Sequence, residues 1–268
     1  MINSINDDED EKNEDEAPES ESVENFGQTI IKNKKGNIRC VTIIGQIEGH
    51  MQLGPQTKTT KYEHLLPQLA LMEEDEETDG VLFLLNTVGG DVEAGLAISE
   101  MISGMSKPTV SLVLGGGHSI GIPLAVATKH SFISPTATMT VHPIRTNGLV
   151  IGVIQSFEYL DKMQKRISRF VENNSNISAD NFRSLMLKTG ELANDVGTIL
   201  FGEEAVTCGL IDECGGIKDA YEKLYSLIIK QKDEKKTEKE SEKKAGKETK
   251  KGTNKKAEKK NASKKPKK

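Results

Sequence analysis

Short apolar runs alternate with polar, glycine-containing segments in the middle of the chain. Three such runs are Ile38 to Gly45, Val81 to Leu85 and Thr109 to Leu114. The first and third are rich in β-branched residues and the second is apolar throughout, and this composition predicts buried strands. Most positions in these runs are apolar, and apolar and polar residues do not alternate as they would in a strand with one exposed face. Such runs are typical of parallel strands covered on both faces by helices. The pattern therefore predicts an α/β domain.

Apolar residues at helical spacing separate the strands. They predict helices over about 61–76, after the capping residue Asp91, over 120–127 and 151–172, after the capping residue Ser178, and over 218–229. Residues 46–62 are polar and predict a loop. Shorter strands are predicted at 131–133 and 138–142, and residues 205–212 predict a helix end, a glycine and a buried strand. The 151–172 helix has an apolar stripe suited to contacts with another subunit or with its own sheet.

Charge divides the 268 residues into three parts. Residues 1–24 contain eleven acidic residues against one lysine, a net charge of −10, and residues 232–268 contain seventeen lysines against seven acidic residues, a net charge of +10. Neither end has enough apolar residues to form a core. We therefore predict disordered acidic and Lys-rich tails around one folded domain at 25–231.

The Lys-rich tail has two interpretations. It can bind an anionic membrane surface or an acidic protein partner, or it can act only as a solubilising tail. Nucleic acid is a poor fit because the chain has no tryptophan and only 4% aromatic residues, too few for a base-stacking surface.

The cysteines and the N-terminus predict a cytoplasmic protein. The chain has three cysteines, Cys40, Cys208 and Cys214. An odd number without a CxxC pair favours free thiols in a reducing compartment. The acidic N-terminus lacks the basic start and apolar run of a secretory signal. No metal-binding motif such as HExxH occurs, and we expect no cofactor.

The stretch from Thr109 to Thr128 has the strongest chemical signal. Ser119 follows three consecutive glycines and would lie where a strand turns into a helix, beside the unpaired N–H groups of a helix start. A nucleophile next to an oxyanion site requires this geometry. Two other interpretations remain open from the residues alone: a membrane span, and a buried glycine-rich turn without catalysis.

Five histidines could serve as a base for Ser119. His142 is the strongest candidate because it ends an apolar strand, where loop residues line a cleft. His50 and His64 are predicted on the surface, as is His130, and His118 is predicted to point away from the site. Residues 117–121 match G-x-S-x-G, but the α/β hydrolases named for that pattern place the acid before a late histidine.

Five segments, taken together, resemble successive motifs of the ClpP serine peptidases. They occur in the order of that family across about residues 38–226, and NTVGGDVEAGLAI and GGGHSIG resemble its TepA branch of translocation-enhancing proteins. The segments are GQIEGHM at 45–51, NTVGGD at 86–91, GHSIG at 117–121, MTVHP at 139–143 and EAVTCGLID at 204–212.

The resemblance implies a crotonase-like spiral of repeated strand-strand-helix units. It also implies Ser119 as the nucleophile, His142 as general base and then acid, and the Gly90 and Ile120 amides as the oxyanion hole. Peptides or unfolded proteins would be the substrates, cleaved through an acyl-enzyme by a homo-oligomeric ring, with a link to protein export. Any ATP-driven unfoldase would be a separate partner, because the chain has no GxxxxGK[ST] loop.

The chain departs from the family at the third triad position. Gly197 stands where the family spacing places the aspartate, and Asp195, two residues earlier, is the candidate that remains. A noncatalytic scaffold that binds peptides or the export machinery is therefore an alternative. Two further alternatives are a crotonase-type acyl-CoA enzyme and a serine-lysine dyad that uses Lys107 or Lys129.

Overall fold

The structure, a computed structural model, describes residues 28–146, 152–190 and 196–238. The strands are β1 (Gln28–Ile31), β2 (Ile38–Glu48), β3 (Thr59–Lys61), β4 (Gly80–Gly90), β5 (Thr109–Gly117), β6 (His130–Ile133), β7 (Thr138–Val141), β8 (Thr198–Phe201) and β9 (Glu213–Cys214). The helices are α1 (Tyr62–Glu74), α2 (Val92–Gly104), α3 (Gly121–Val126), α4 (Val153–Asn173), α5 (Ala179–Leu187), α6 (Gly202–Thr207) and α7, described over 217–238.

The strands of the described chain form one mostly parallel sheet in the order β1-β2-β4-β5-β6-β9. The four pairings from β2 through β9 are parallel, and only β1 joins this path antiparallel. β3 lies parallel to the end of β2. β7 meets the end of β5 at one bridge, Gly116 with Thr138, and forms an antiparallel pair with β8. The carboxyl ends of β4, β5 and β7 therefore meet at one edge.

Helices cover both faces of the sheet, as the continuous apolar runs predict. Side chains that alternate along β2, β4 and β5 fall into two separate apolar clusters. Val41, Phe83 and Val113 belong to the cluster that packs against the crossover helices, whereas Leu82 and Leu112 belong to the one beneath α7. Burial on both faces fixes the register of the central strands, because a one-residue slip would exchange the two sets.

The central strands are longer than predicted. β2 continues to Glu48 through a bulge after Gly45, and the predicted 46–62 loop also contains β3. β4 includes the whole NTVGG segment, because pairing resumes past the bulge with Gln46 opposite Gly89 and Ile47 opposite Gly90. Ladder pairing supplies the backbone partners that the polar composition of this segment does not predict.

Three further differences lie in the C-terminal half. β8 has no counterpart among the predicted strands. The buried strand predicted within 205–212 is wrong: α6 ends at Thr207, a turn follows, and the next strand, β9, begins only at Glu213 and pairs with β6. α7 continues to residue 238, well past its predicted end near 229, and Lys232 pairs with Asp79 at 2.7 Å. The first residues of the predicted Lys-rich tail at 232–268 therefore continue α7 as far as 238, whereas residues 239–268 and the acidic tail at 1–24 lie outside the described residues.

The membrane interpretation of residues 109–128 is wrong. This segment forms the buried strand β5, a turn and the short helix α3, whose residues Gly121–Val126 are all buried within the domain. In the described part of the chain, no helix combines the length and the apolar character that crossing a bilayer requires.

Candidate active site

Ser119 lies in a sharp turn between β5 and α3. Its φ of 56° is the one positive φ of a non-glycine residue in the described chain, a conformation that costs about 1–3 kcal/mol. The surroundings hold the turn, because Ser119 N–H donates to Thr140 O on β7 at 2.9 Å and Ile122 N–H donates to Ser119 O at 3.0 Å. The serine thus occupies the strained strand-to-helix turn that the glycines predict.

Thr87 and Gly89 on β4 form the wall beside this turn. The Thr87 hydroxyl donates to Gly45 O at 2.6 Å and accepts from Gly89 N–H at 3.0 Å, and Thr87 O accepts from His118 N–H at 3.1 Å. The buried Thr87 therefore connects β2, the glycine pair and the serine turn.

The two predicted oxyanion donors lie beside Ser119. Gly90 ends β4, where a Cβ would come within 2.3 Å of Ile47 O, so only glycine fits. Ile120 precedes α3, and its N–H donates to no acceptor within the described residues, although Ser119, Gly121 and Ile122 N–H all do. An unused amide next to a nucleophile suits an oxygen that becomes negative during reaction.

His142 follows β7 on the other side of the cavity. Its Nδ1 lies 2.7 Å from Pro143 O. A carbonyl oxygen only accepts, so Nδ1 carries the proton and Nε2 of the neutral ring is left as an acceptor. Among the described residues, no hydrogen bond joins this ring to the Ser119 hydroxyl. The ring therefore has the tautomer of a general base without the contact that would activate the serine.

One cavity of about 160 Å³ is lined by the four residues Ser119, His142, Gly90 and Ile120. The structure thus brings together four of the residues predicted from sequence. The rest of the wall is mostly apolar, with contributions from α4 and α5, and consists of Val92, Ile122, Val141, Pro143, Ile144, Arg145, Gln164, Ile167 and Phe182. Larger and more open depressions of about 810 and 530 Å³ border α4 but include neither Ser119 nor His142.

His118 supports the turn instead of lining the cavity. Its Nδ1 accepts from Thr140 N–H at 3.1 Å and lies 2.9 Å from the Thr140 hydroxyl. Burial lowers the pKa of the His118 imidazole, and His142 adds to this effect. Since Nδ1 accepts a backbone N–H, the neutral ring is the form that fits here.

The other histidines lie outside the cavity. His50 is exposed and contacts the Tyr62 hydroxyl through Nδ1 at 3.0 Å. The predicted surface position of His130 is wrong: its side chain is only 12% exposed because Glu213 and Phe132 pack against it.

The other candidate nucleophiles and bases are also placed apart from Ser119. Lys107 donates to Asp75 O and to Thr78 O, and Lys129 donates to Ser103 O at 3.3 Å, so neither of these described lysines lines the cavity. The cysteines form no disulfide among themselves, and burial raises the pKa of the Cys40 thiol to about 11. These contacts do not favour a serine-lysine dyad.

A glycine occupies the third triad position. Gly197, at the predicted place of the acid, has a φ of 140° and donates its N–H to Lys188 O at 2.8 Å. A glycine offers no side chain to the His142 ring. Asp195, the candidate acid, lies outside the described residues.

Comparison with known proteins decides the family. A family model described as Clp protease matches residues 34–218, more than half of the chain. The chain belongs to the Clp protease family. The translocation-enhancing protein TepA of Halalkalibacterium halodurans is 60% identical over 213 residues, which cover 79% of this chain and 83% of that protein.

More distant members of the Clp protease family also match this chain in sequence and in fold. The ATP-dependent Clp protease proteolytic subunit 1 of Protochlamydia amoebophila is 26% identical over 165 residues, 60% of this chain and 76% of that protein. The solved structure of a ClpP1 mutant from Listeria monocytogenes has a TM-score of 0.55 at 22% identity, covering 68% of this chain and 93% of that one. This likeness confirms the predicted ClpP/crotonase-like α/β fold.

Sequence reasoning missed three residues of this Clp protease site. Thr87 and Thr140 hold the serine turn through backbone contacts, and Gln164 on α4 accepts from Ile144 N–H at 2.8 Å beside His142. Thr87 lies within the NTVGG motif and could have been found there. Gln164 had no local signal, because its contact depends on how α4 packs against the loop after β7.

Proposed function

We propose that this member of the Clp protease family is a serine peptidase that cleaves unfolded peptides through an acyl-enzyme. The observation that supports it is the convergence of Ser119, His142, Gly90 and Ile120 on one small cavity, with the serine in a strained turn. The cavity wall is mostly apolar, so it suits one aliphatic side chain of an extended peptide.

The proposed reaction follows from these positions. His142 Nε2 takes the Ser119 proton while the Ser119 oxygen bonds to the substrate carbonyl carbon, and the Gly90 and Ile120 N–H groups stabilise the resulting oxyanion. His142 then gives the proton to the leaving amine as the C–N bond breaks. In the second half, His142 takes a proton from water while the water oxygen bonds to the acyl carbon. The bond between the acyl carbon and the Ser119 oxygen then breaks, and His142 returns the proton to Ser119. Each oxyanion donor of this kind contributes about 3 kcal/mol to transition-state stabilisation.

Labelling with a fluorophosphonate tests the proposal. Ser119→Ala is expected to abolish labelling and His142→Ala to slow it by at least about 100-fold. Ser168→Ala, a serine on α4 outside the cavity, is the matched control and should label like the unmodified chain. Absence of any Ser119-dependent adduct, in isolated or assembled protein, would overturn the peptidase proposal.

Assembly and cellular role belong to the same proposal. Large apolar side chains are exposed on the first turns of α4, including Val153 at 75% and Phe157 at 71%, which supports a homo-oligomeric ring formed through this helix. The protein would act in the cytoplasm. Its relative's name supports a link to protein export, and an ATP-driven unfoldase or an anionic membrane surface would be a separate partner.

A noncatalytic scaffold is the second candidate, favoured by the missing contact between Ser119 and His142 and by Gly197. Complementation of a secretion defect in a strain that lacks the protein distinguishes the two. The peptidase proposal expects Ser119→Ala to fail at a normal protein level, whereas full restoration by Ser119→Ala would support the scaffold. The crotonase-type alternative would require specific CoA-thioester binding by calorimetry.

A further inference from the structure

One peptide group next to His142 is held from both sides. Pro143 O accepts the His142 Nδ1 proton at 2.7 Å, and the N–H of the same peptide group, on Ile144, donates to Gln164 Oε1 at 2.8 Å. The Gln164 side chain is half-buried and lines the cavity with His142. A continuous chain of hydrogen bonds thus runs from the imidazole to the side of α4.

The chain of hydrogen bonds does for His142 what an orienting carboxylate does in a serine triad. Such a carboxylate accepts the Nδ1 proton, fixes the tautomer and stabilises the imidazolium that forms during reaction. Pro143 O provides the acceptor, and it gains negative character when its own peptide N–H is hydrogen-bonded, because linked hydrogen bonds polarise one another.

We propose that Gln164 is a positioning residue, which holds the Pro143–Ile144 peptide group so that its carbonyl takes the place of a triad aspartate. This inference rests on the proposed serine peptidase function. It explains how a chain with Gly197 at the acid position retains a base of the required tautomer. Pro143, which directly follows His142, limits the conformations of this loop and fits the same role.

The activity test uses the full-length assembled protein and the pH dependence of fluorophosphonate labelling. Gln164→Leu removes the acceptor and is expected to lower the labelling rate about 10-fold, as loss of one hydrogen bond in the transition state would. Gln164→Glu restores an acceptor and adds a negative charge. Gln164→Glu should therefore recover the labelling rate. Its labelling should rise at higher pH than in the unmodified chain, because the added negative charge favours the protonated His142 ring.

Gln56→Leu, an exposed glutamine in the turn before β3 and outside both the cavity and α4, is the matched control and should label like the unmodified chain. Wild-type labelling rate and pH dependence in Gln164→Leu would overturn the proposal. A large fall for Asp195→Asn without a fall for Gln164→Leu would also overturn it, and would assign the acceptor role to Asp195.

A second measurement is independent of activity. Nitrogen NMR of ¹⁵N-histidine-labelled protein, with His142→Gln to assign the signal, is expected to show the neutral His142 ring protonated at Nδ1, and mixed tautomers in Gln164→Leu. A ring protonated at Nε2 in the unmodified chain would overturn the inference. Failure of Ser119 labelling together with the expected NMR result would reject the peptidase function and leave the His142 arrangement standing.

Discussion

Gly89 lies directly against Ser119: a Cβ on Gly89 would come within 2.7 Å of Ser119 Cβ and within 2.8 Å of His118 O. Its φ of 88° also lies where side chains are strained. The closeness of these two residues determines where the serine hydroxyl lies relative to the Gly90 amide, because Gly89 and Gly90 are consecutive on β4.

Replacing Gly89 with alanine should therefore displace the serine turn. We expect fluorophosphonate labelling to fall about 100-fold, the scale for a displacement of roughly 1 Å at a reacting centre. The variant should also lose about 1–3 kcal/mol of unfolding free energy through backbone strain. Gly54→Ala, where a Cβ meets nothing within 4 Å, is the control for both measurements. Unchanged labelling in Gly89→Ala would contradict the role of this contact.

Thr87→Val keeps the shape of the side chain and removes its hydroxyl. It leaves Gly45 O and Gly89 N–H without their partner in a buried region, so urea denaturation should show a loss of about 2 kcal/mol. Thr207→Val is the comparison, since its hydroxyl bonds to Glu203 O on an exposed helix face, and it should change stability by less than about 0.5 kcal/mol. Equal losses for the two variants would rule out a special role for Thr87.

His118 should make stability depend on pH. The unfolded ring protonates near its ordinary pKa of 6.5, whereas burial lowers the pKa in the folded state. Between these two pKa values the unfolded chain binds more protons, so the unfolding free energy falls as the pH decreases from about 6.5, and the loss is complete below the folded pKa.

The variant His118→Gln retains an acceptor for Thr140 N–H but cannot titrate. Urea denaturation at several pH values should show a shallower decline of stability than in the unmodified protein. Some decline remains, because burial also lowers the pKa of His130. If the unfolding free energy of His118→Gln declines with pH as steeply as that of the unmodified protein, the His118 ring does not cause the pH dependence.

Phe157→Asp tests assembly through α4. Placing a charge at this exposed apolar position should separate a ring into smaller species at micromolar concentration, which light scattering detects. The neighbouring change Glu158→Ala on the same helix should leave the size unchanged. A ring of unaltered mass in Phe157→Asp would place the subunit contacts elsewhere.

The sequence predicted the parallel core well and the ends of strands poorly. Val81 to Leu85 is apolar throughout, so its burial follows from composition, but Asn86 to Gly90 continues the strand because β2 and the end of β5 lie beside it. His130 was misplaced for a similar reason: Glu213, which packs against it, comes from a distant part of the chain. Contacts of this kind depend on tertiary structure and leave no periodic pattern.

In the candidate site, too, some residues could be predicted from local sequence and others depend on tertiary contacts. Ser119 and His142 stand in short motifs that a chemical argument can find, and the structure places both on one cavity. Gln164 lies on an amphipathic helix whose pattern reports only which face is buried. Its contact with Ile144 arises where α4 passes the loop after β7, which no local rule specifies.

The positive φ of Ser119 has a consequence for how the chain evolves. A glycine at this position would relieve about 1 kcal/mol of strain, since glycine enters the left-handed region without penalty. Selection for a stable binding platform alone would favour that replacement. A serine held in this backbone is therefore what we expect of a lineage in which the hydroxyl is still used.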